Sequence, residues 1–299
     1  MTDYDIIRID GAQRVELCVQ TFGRRSDPAV LLIGGASRSM DWWEVAFCER
    51  LAAASRLVIR YDHRDTGAST CYRPGVPDYS FAELAADAVR VLDTYDLDRA
   101  HLVGLSMGGQ LAQVAALRAP ERVASVTLIA TSPEPKAPDL PPTTDRLQAH
   151  FDTATAPDWS DRAAVIDYVV AQDQAYAADW TAEEAAAARD RAATAVDRSA
   201  CVEASHTNHY AMRGHNRWRD RLSGLTVPTL VVHGDRDPLF PIEHGVALAT
   251  EIPNARLLRL PGIGHELPHR CWDTVLPAIV DLTTPTTERT ADEAPCRNP

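Results

Sequence analysis

Residues 101–111 read His101-Leu102-Val103-Gly104-Leu105-Ser106-Met107-Gly108-Gly109-Gln110-Leu111. A short apolar run leads into Gly-x-Ser-x-Gly-Gly. Leu111, Val114, Ala115 and Leu117 then follow at helical spacing, and Pro120 helps to end the helix. The pattern predicts a strand, a sharp turn with Ser106 at its apex, and a helix. Glycine is needed there because a Cβ would collide with the neighbouring strand and helix.

Outward from this unit, strands and helices alternate. Candidate strands are Ile6–Ile9, Val15–Phe22, Val30–Ile33, Leu57–Tyr61, His101–Val103, Ser125–Ile129, Thr229–His233 and Arg256–Leu260. The central ones are unbroken Val/Ile/Leu runs, as expected of strands buried on both faces of a parallel sheet. Ser80-Phe81-Ala82-Glu83 is a capping box that opens a helix through about Tyr95. The expected class is α/β, a mostly parallel sheet flanked by helices. From about Ser132 to Leu222 no strong strand appears. A proline-rich linker, Ser132–Pro142, gives way to helical stretches such as Arg162–Tyr176 and to a second capping box, Thr181-Ala182-Glu183-Glu184. The expected organisation is a core of 1–131 and 222–282, an inserted helical lid over 132–221, and a disordered Thr/Pro/Glu-rich tail over 283–299.

The 299 residues carry a net charge of -12, and no stretch gathers enough Lys and Arg for a nucleic-acid partner. No apolar run approaches the roughly 20 residues that span a bilayer, so no membrane partner is expected. The N-terminus has neither a basic nor an apolar signal region, and a cytoplasmic location is expected. The six cysteines (Cys18, Cys48, Cys71, Cys201, Cys271, Cys296) show no C-x-x-C pair, which predicts reduced thiols. His206, His209 and His215 lie in the insertion without metal-ligand spacing. Neither a metal nor a cofactor is expected.

A serine hydroxyl is a poor nucleophile until a base takes its proton, and that base must itself be oriented. Two later strands end in loops suited to these tasks. Thr229 to His233 runs into Gly234-Asp235-Arg236-Asp237-Pro238, and Arg256 to Leu260 runs into Pro261-Gly262-Ile263-Gly264-His265. His265 is the expected base. Asp235 and Asp237 compete as its partner. Asp235 suits a turn cap, and Asp237, further into the loop, is preferred. His233, ending a buried strand, reads as a satisfied core histidine. An oxyanion would take the N–H of Met107 and that of Gly35, in the loop Ile33-Gly34-Gly35-Ala36-Ser37.

Together, the serine turn, the glycine pair, Gly234 to Asp237 and the Gly-x-Gly-His turn resemble the α/β-hydrolase superfamily. Arg60-Tyr61-Asp62-His63-Arg64-Asp65-Thr66-Gly67-Ala68-Ser69 and Val103–Gly109 resemble more narrowly the aclacinomycin methylesterase group of bacterial polyketide-tailoring hydrolases. Ile33 stands where many superfamily members carry histidine. The resemblance implies an α/β-hydrolase fold and a serine carboxylic-ester hydrolase acting through an acyl-enzyme, with a small-molecule ester as partner and methyl ester cleavage on a polycyclic polyketide as its narrow form. Asp62, Arg64 and Asp65 are expected to order their loop. Trp42, Trp43, Met107, Leu239, Phe240 and Leu267 are candidate pocket residues, with Tyr168, Tyr176, Trp180, Tyr210 and Trp218 from the insertion. Competing functions are a carbon–carbon bond hydrolase or cofactor-free perhydrolase with the same triad, and a non-hydrolytic receptor or cyclase on the same scaffold.

Overall fold

The computed structural model describes residues 4–9, 14–213 and 217–284. Its centre is an eight-stranded sheet: β1 (Asp5–Ile9), β2 (Val15–Phe22), β3 (Ala29–Ile33), β4 (Leu57–Tyr61), β5 (Ala100–Leu105), β6 (Val123–Ile129), β7 (Thr229–Gly234) and β8 (Arg256–Leu260), in the order β1-β2-β4-β3-β5-β6-β7-β8. β2 is antiparallel to both β1 and β4, whereas β4 through β8 are parallel. All strands expected from the sequence are present, several extended by a residue or more.

The unbroken apolar runs follow from two-sided burial. On β3, Leu31 and Ile33 face α2 (Phe81–Thr94) and α3 (Met107–Arg118) through Leu84, Val91 and Leu111. Val30 and Leu32 point the other way, to α1 (Val45–Ala53) and α9 (His269–Thr283) through Phe47 and Trp272. Successive Cβ atoms alternate across a strand, so a sheet covered on both faces takes apolar residues at every position. The capping box at Ser80 is formed, its hydroxyl accepting from Glu83 N–H and the Glu83 carboxylate accepting from Ser80 N–H.

Between β6 and β7 lie α4 (Asp145–Thr153), α5 (Arg162–Tyr176), α6 (Ala182–Arg198) and α7 (Val202–Ala211), with no strand among the described residues of that segment. α8 (Ile242–Glu251) follows β7. Arg198, at the end of α6, is held by Asp41 and by the fully buried Asp62 of the core. Asp62 also accepts from Met40 N–H and Ala68 N–H, while Arg64 makes a two-bond pair with Asp87 at 2.7 and 2.9 Å. Asp65 accepts from Tyr79 Oη–H, Asn208 Nδ2–H and Tyr72 N–H. These three residues order the loop after β4 and seat the inserted helices on it.

One expectation is corrected here. Cys71, in that loop, is disulfide-bonded to Cys201 at the start of α7, so not all the thiols are reduced. Their sequence separation of 130 hides the pairing, because nothing local in the sequence brings the two together. Cys18, Cys48 and Cys271 are free and buried, and burial pushes each thiol up to about 12. At the other end, α9 runs through Thr283, whose buried hydroxyl accepts from Arg56 Nε–H. The rest of the expected tail, 285–299, lies outside the described residues, as does His215. No helix of the described residues is long and apolar enough to cross a membrane.

Candidate active site

Ser106 sits between β5 and α3 with φ 55° and ψ -118°, a left-handed conformation a side chain rarely adopts. The turn is held from both sides. Ser106 N–H donates to Ile129 O at 2.9 Å, and Thr131 Oγ1–H donates to Ser106 O at 2.7 Å. The flanking glycines permit the close approach. A Cβ on Gly108 would lie 2.2 Å from Ile33 O, and one on Gly104 would lie 2.2 Å from Gly108 O.

His265 Nε2 stands 2.9 Å from Ser106 Oγ, and its Nδ1 stands 2.8 Å from Asp237 Oδ2. The other oxygen of Asp237 accepts from Leu239 N–H and Phe240 N–H, both at 2.9 Å. Burial by itself would raise the Asp237 pKa. His265 beside it and the Phe240 N–H outweigh that and hold the carboxylate below its usual range. Asp235 does something else: its carboxylate accepts from Gly262 N–H at 2.7 Å and braces the loop that carries His265. His233 donates from Nε2 to Phe240 O at 2.7 Å, and its Nδ1 has no hydrogen-bond partner, so it is only half satisfied. Burial pushes the His233 pKa down, which keeps it neutral.

The inserted helices reach the histidine directly. His265 N–H donates to Tyr176 O at 2.9 Å, and the imidazole lies between the rings of Tyr176 and Phe240, with centroids 5.4 and 5.6 Å away. Glu266 accepts from Trp180 Nε1–H at 3.0 Å. Burial raises the Glu266 pKa.

On the opposite side of Ser106 runs the loop after β3. A Cβ on Gly35 would lie 3.5 Å from Ser106 Cβ, so the main chain of Gly35 faces the serine. Met107 opens α3. Of the first-turn donors, Gly109 N–H and Gln110 N–H go to Ser106 O, which leaves the N–H groups of Met107 and Gly108 at the turn. Two histidines that no spacing in the sequence marks hold this loop in shape. His63 Nε2–H donates to Gly34 O at 3.0 Å. His209, from α7, accepts from Ser37 N–H at 2.9 Å and donates to Arg64 O at 3.0 Å. Burial pushes the pKa of both down, that of His209 to about 3.

Ser106 and His265 open on a cavity of 670 Å³. Trp42, Trp43, Met107, Leu239, Phe240 and Leu267 line it, with Tyr176, Trp180 and Tyr210 from the insertion. Tyr168 and Trp218 do not. Tyr168 packs edge-on against Trp159 and His206, while Trp218 stacks on Phe81 and donates to Gln113. A cavity of this size, ring-lined around Ser106 and with charged side chains such as Arg38, Asp173 and Arg191 also in its wall, suits a multi-ring organic molecule that carries polar groups.

Residues 28–269 match the family model for the alpha/beta hydrolase fold, and the chain belongs to that family. It is a hydrolase with methylesterases among its relatives. It is 31% identical over 280 residues to the rhodomycin D methylesterase DauP of Streptomyces sp. (strain C5), covering 89% of this chain and 94% of the relative. The rhodomycin D methylesterase DnrP of Streptomyces peucetius matches to the same extent, 31% over 280 residues, with 89% and 94% covered. Among solved structures, the esterase EaEST of Exiguobacterium antarcticum superposes with a TM-score of 0.74 at 21% identity, over 92% of this chain and 98% of that one, a likeness of fold.

Proposed function

We propose that this chain is a serine carboxylic-ester hydrolase that works through an acyl-enzyme, with Ser106 as nucleophile, His265 as general base and Asp237 as the group that orients it. The observation that carries the reading is the unbroken chain of hydrogen bonds, 2.9 Å from Ser106 Oγ to His265 Nε2 and 2.8 Å from His265 Nδ1 to Asp237, opening on a cavity of 670 Å³. His265 takes the serine proton as Oγ attacks the ester carbonyl. The tetrahedral oxyanion is received by the N–H groups of Gly35 and Met107. His265 then gives its proton to the departing alcohol and activates water to release the acid. Asp237, ionised throughout, keeps Nδ1 protonated and steadies the imidazolium.

The substrate in this reading is a bulky apolar ester held under the inserted helices, which act as a lid over the core. The narrow form is a methyl ester on a polycyclic polyketide. It is supported by two relatives, each named a rhodomycin D methylesterase, and by the ring-lined cavity. The reaction is placed in the cytoplasm, with no cofactor. The test is direct. Active-serine fluorophosphonate should label the protein, p-nitrophenyl butyrate should give an acylation burst, and intact mass should place one acyl group on Ser106. Ser106→Ala should abolish all three. A wild-type protein inert to both reagents would overturn the reading and favour a receptor or cyclase.

A further inference from the structure

The wall of the cavity is charged at one end. Arg38, three residues past Gly35, and Arg191 of α6 both lie on the indole of Trp42, at 4.5 and 5.6 Å from its ring centre. Asp173 of α5 stands between them, 2.6 Å from Arg38 Nη2 and 3.6 Å from Arg191 Nη2. Arg191 Nη1 donates to Glu44, whose other oxygen is paired with His269 Nε2 at 2.7 Å. All of these side chains line the same cavity as Ser106 and His265.

Three polar atoms in this cluster have no hydrogen-bond partner: Arg38 Nη1, Asp173 Oδ2 and Arg191 Nε. The side chains of Arg38 and Asp173 are each only 9% exposed, so water does not make up the deficit cheaply. A buried arginine–carboxylate pair can close with two parallel bonds. Arg64 and Asp87 do so in this same molecule, at 2.7 and 2.9 Å. Arg38 and Asp173 meet in a single 2.6 Å ion pair, with Arg191 Nη2 3.6 Å from the other carboxylate oxygen, and leave a donor and an acceptor without a hydrogen bond. Arg191 adds a second donor beside them. Unmade bonds gathered on one wall of a ligand-sized cavity mark a recognition site.

The donor and acceptor set selects the chemistry. A carboxylate or phosphate would meet Asp173 and Glu44, and a cation would meet two guanidinium groups. A neutral hydroxyl accepts from a guanidinium and donates to Asp173, so it meets no repulsion. The rings that carry it can lie along Trp42. We propose that Arg38, Asp173 and Arg191 form a subsite for a ring hydroxyl of the substrate, remote from the ester held at Ser106. The three atoms are closed to water from the cavity as well as from outside, so a ligand reaches them only when the arginine side chains turn toward the cavity. The hydroxyl therefore enters from the cavity with a small torsion of the arginine side chains, and its bonds form without competition from solvent. This subsite rests on the esterase reading of Ser106 and specifies which esters that site prefers.

The test compares three esters on the wild-type protein: methyl 2-naphthoate, methyl 6-hydroxy-2-naphthoate and methyl 6-methoxy-2-naphthoate. The hydroxyl ester should show kcat/KM at least about tenfold above the parent, mostly through KM, because a hydrogen bond to a charged group is gained. The methoxy ester, which cannot donate to Asp173, should not share the gain. Asp173→Asn and Arg191→Gln should each bring the hydroxyl-to-parent ratio to within twofold of one. A wild-type ratio near one, an equal gain for the methoxy ester, or a ratio kept in both variants would overturn the subsite. The wild-type comparison needs no variant to fold. Fluorophosphonate labelling and p-nitrophenyl butyrate turnover report on Ser106 chemistry independently, so failure of the subsite is distinguishable from failure of the esterase reading.

Discussion

Asp237→Asn tests the orientation of the whole site, and its outcome can be worked from the hydrogen bonds. One oxygen of Asp237 accepts two backbone N–H groups at 2.9 Å, and the other faces His265 Nδ1 at 2.8 Å. An asparagine has one acceptor. Placed toward Leu239 and Phe240, its oxygen keeps both backbone bonds and its NH2 points at the imidazole. The flipped amide loses two bonds and buries opposed donors, at about 1–3 kcal/mol for each unsatisfied group. The first orientation therefore wins. His265 must then accept at Nδ1 and carry its proton on Nε2, toward the serine hydroxyl. It can no longer take the serine proton. In a serine protease triad the same substitution costs about 10⁴-fold in kcat, which is about 5.5 kcal/mol of barrier. We expect a similar loss in kcat/KM for p-nitrophenyl butyrate with an almost unchanged melting temperature. Asp235→Asn, which affects only a brace to Gly262, should cost about threefold or less. An Asp237→Asn loss below about tenfold, or one matched by Asp235→Asn, would refute the assignment.

Three other perturbations follow from the packing. A Cβ on Gly264 would lie 2.5 Å from Ala178 N and 2.6 Å from Tyr176 O, so Gly264→Ala should displace His265 and lower kcat about tenfold or more, with KM less affected; wild-type kcat in this variant would count against the contact. Opening the Cys71–Cys201 bridge releases a loop of sequence separation 130, worth about 5 kcal/mol of chain entropy at most, so reductant or Cys71→Ser should lower Tm by about 10 °C; an unchanged Tm, or both thiols titrating in the unreduced protein, would show the bridge is not formed. His209 is held neutral with its pKa pushed down to about 3, against about 6.5 unfolded, so the unfolded chain binds the extra proton and stability falls as pH drops from 6.5 toward 3. At pH 5 this amounts to about 2 kcal/mol, and His209→Gln should flatten the acid limb of a Tm–pH curve by that much; an identical slope would refute it.

Much of this was legible in the sequence because it is local. Ser106 is flagged by Gly104, Gly108 and Gly109, and each glycine answers to a backbone atom or side chain a few ångströms away. The parallel strands are legible because burial on both faces writes an unbroken apolar run. Asp237 is separable from Asp235 only by its place in the turn, and the hydrogen bonds supply the reason: Asp235 points back to Gly262, Asp237 forward to His265. What the sequence hides is long-range. His209 reaches Ser37 across 172 residues, Arg198 reaches Asp62 across 136, and Cys71 meets Cys201 across 130. None of these partners carries a local signature, because each contact is set by where the inserted helices land on the core. Tyr168 and Trp218 fail as cavity residues for the same reason. Helical spacing puts an aromatic on a face without saying which neighbour that face meets.

The long-range contacts also decide how the site can be entered. The inserted helices are not merely resting over the cavity. Through Tyr176 O they hold the backbone of His265, through His209 they hold Ser37 in the loop beside Gly35, and through Arg198 they bury a charge against Asp41 and Asp62. Lifting them as a rigid body would take Arg198 from Asp41 and Asp62 and leave the fully buried Asp62 charge without its counter-ion, and removing one member of such a buried pair costs about 3–5 kcal/mol. The same motion would unseat the histidine and the oxyanion loop. α4 and α7 each bring a side chain to the rim of the cavity. There Phe151 and Tyr210, 39% and 63% exposed, belong both to the cavity wall and to the surface. Large apolar side chains kept in water at a cavity's rim are what a ring-bearing substrate meets first. In the esterase reading, a substrate passing these two rings would reach Ser106 with the Tyr176–His265 and His209–Ser37 contacts kept.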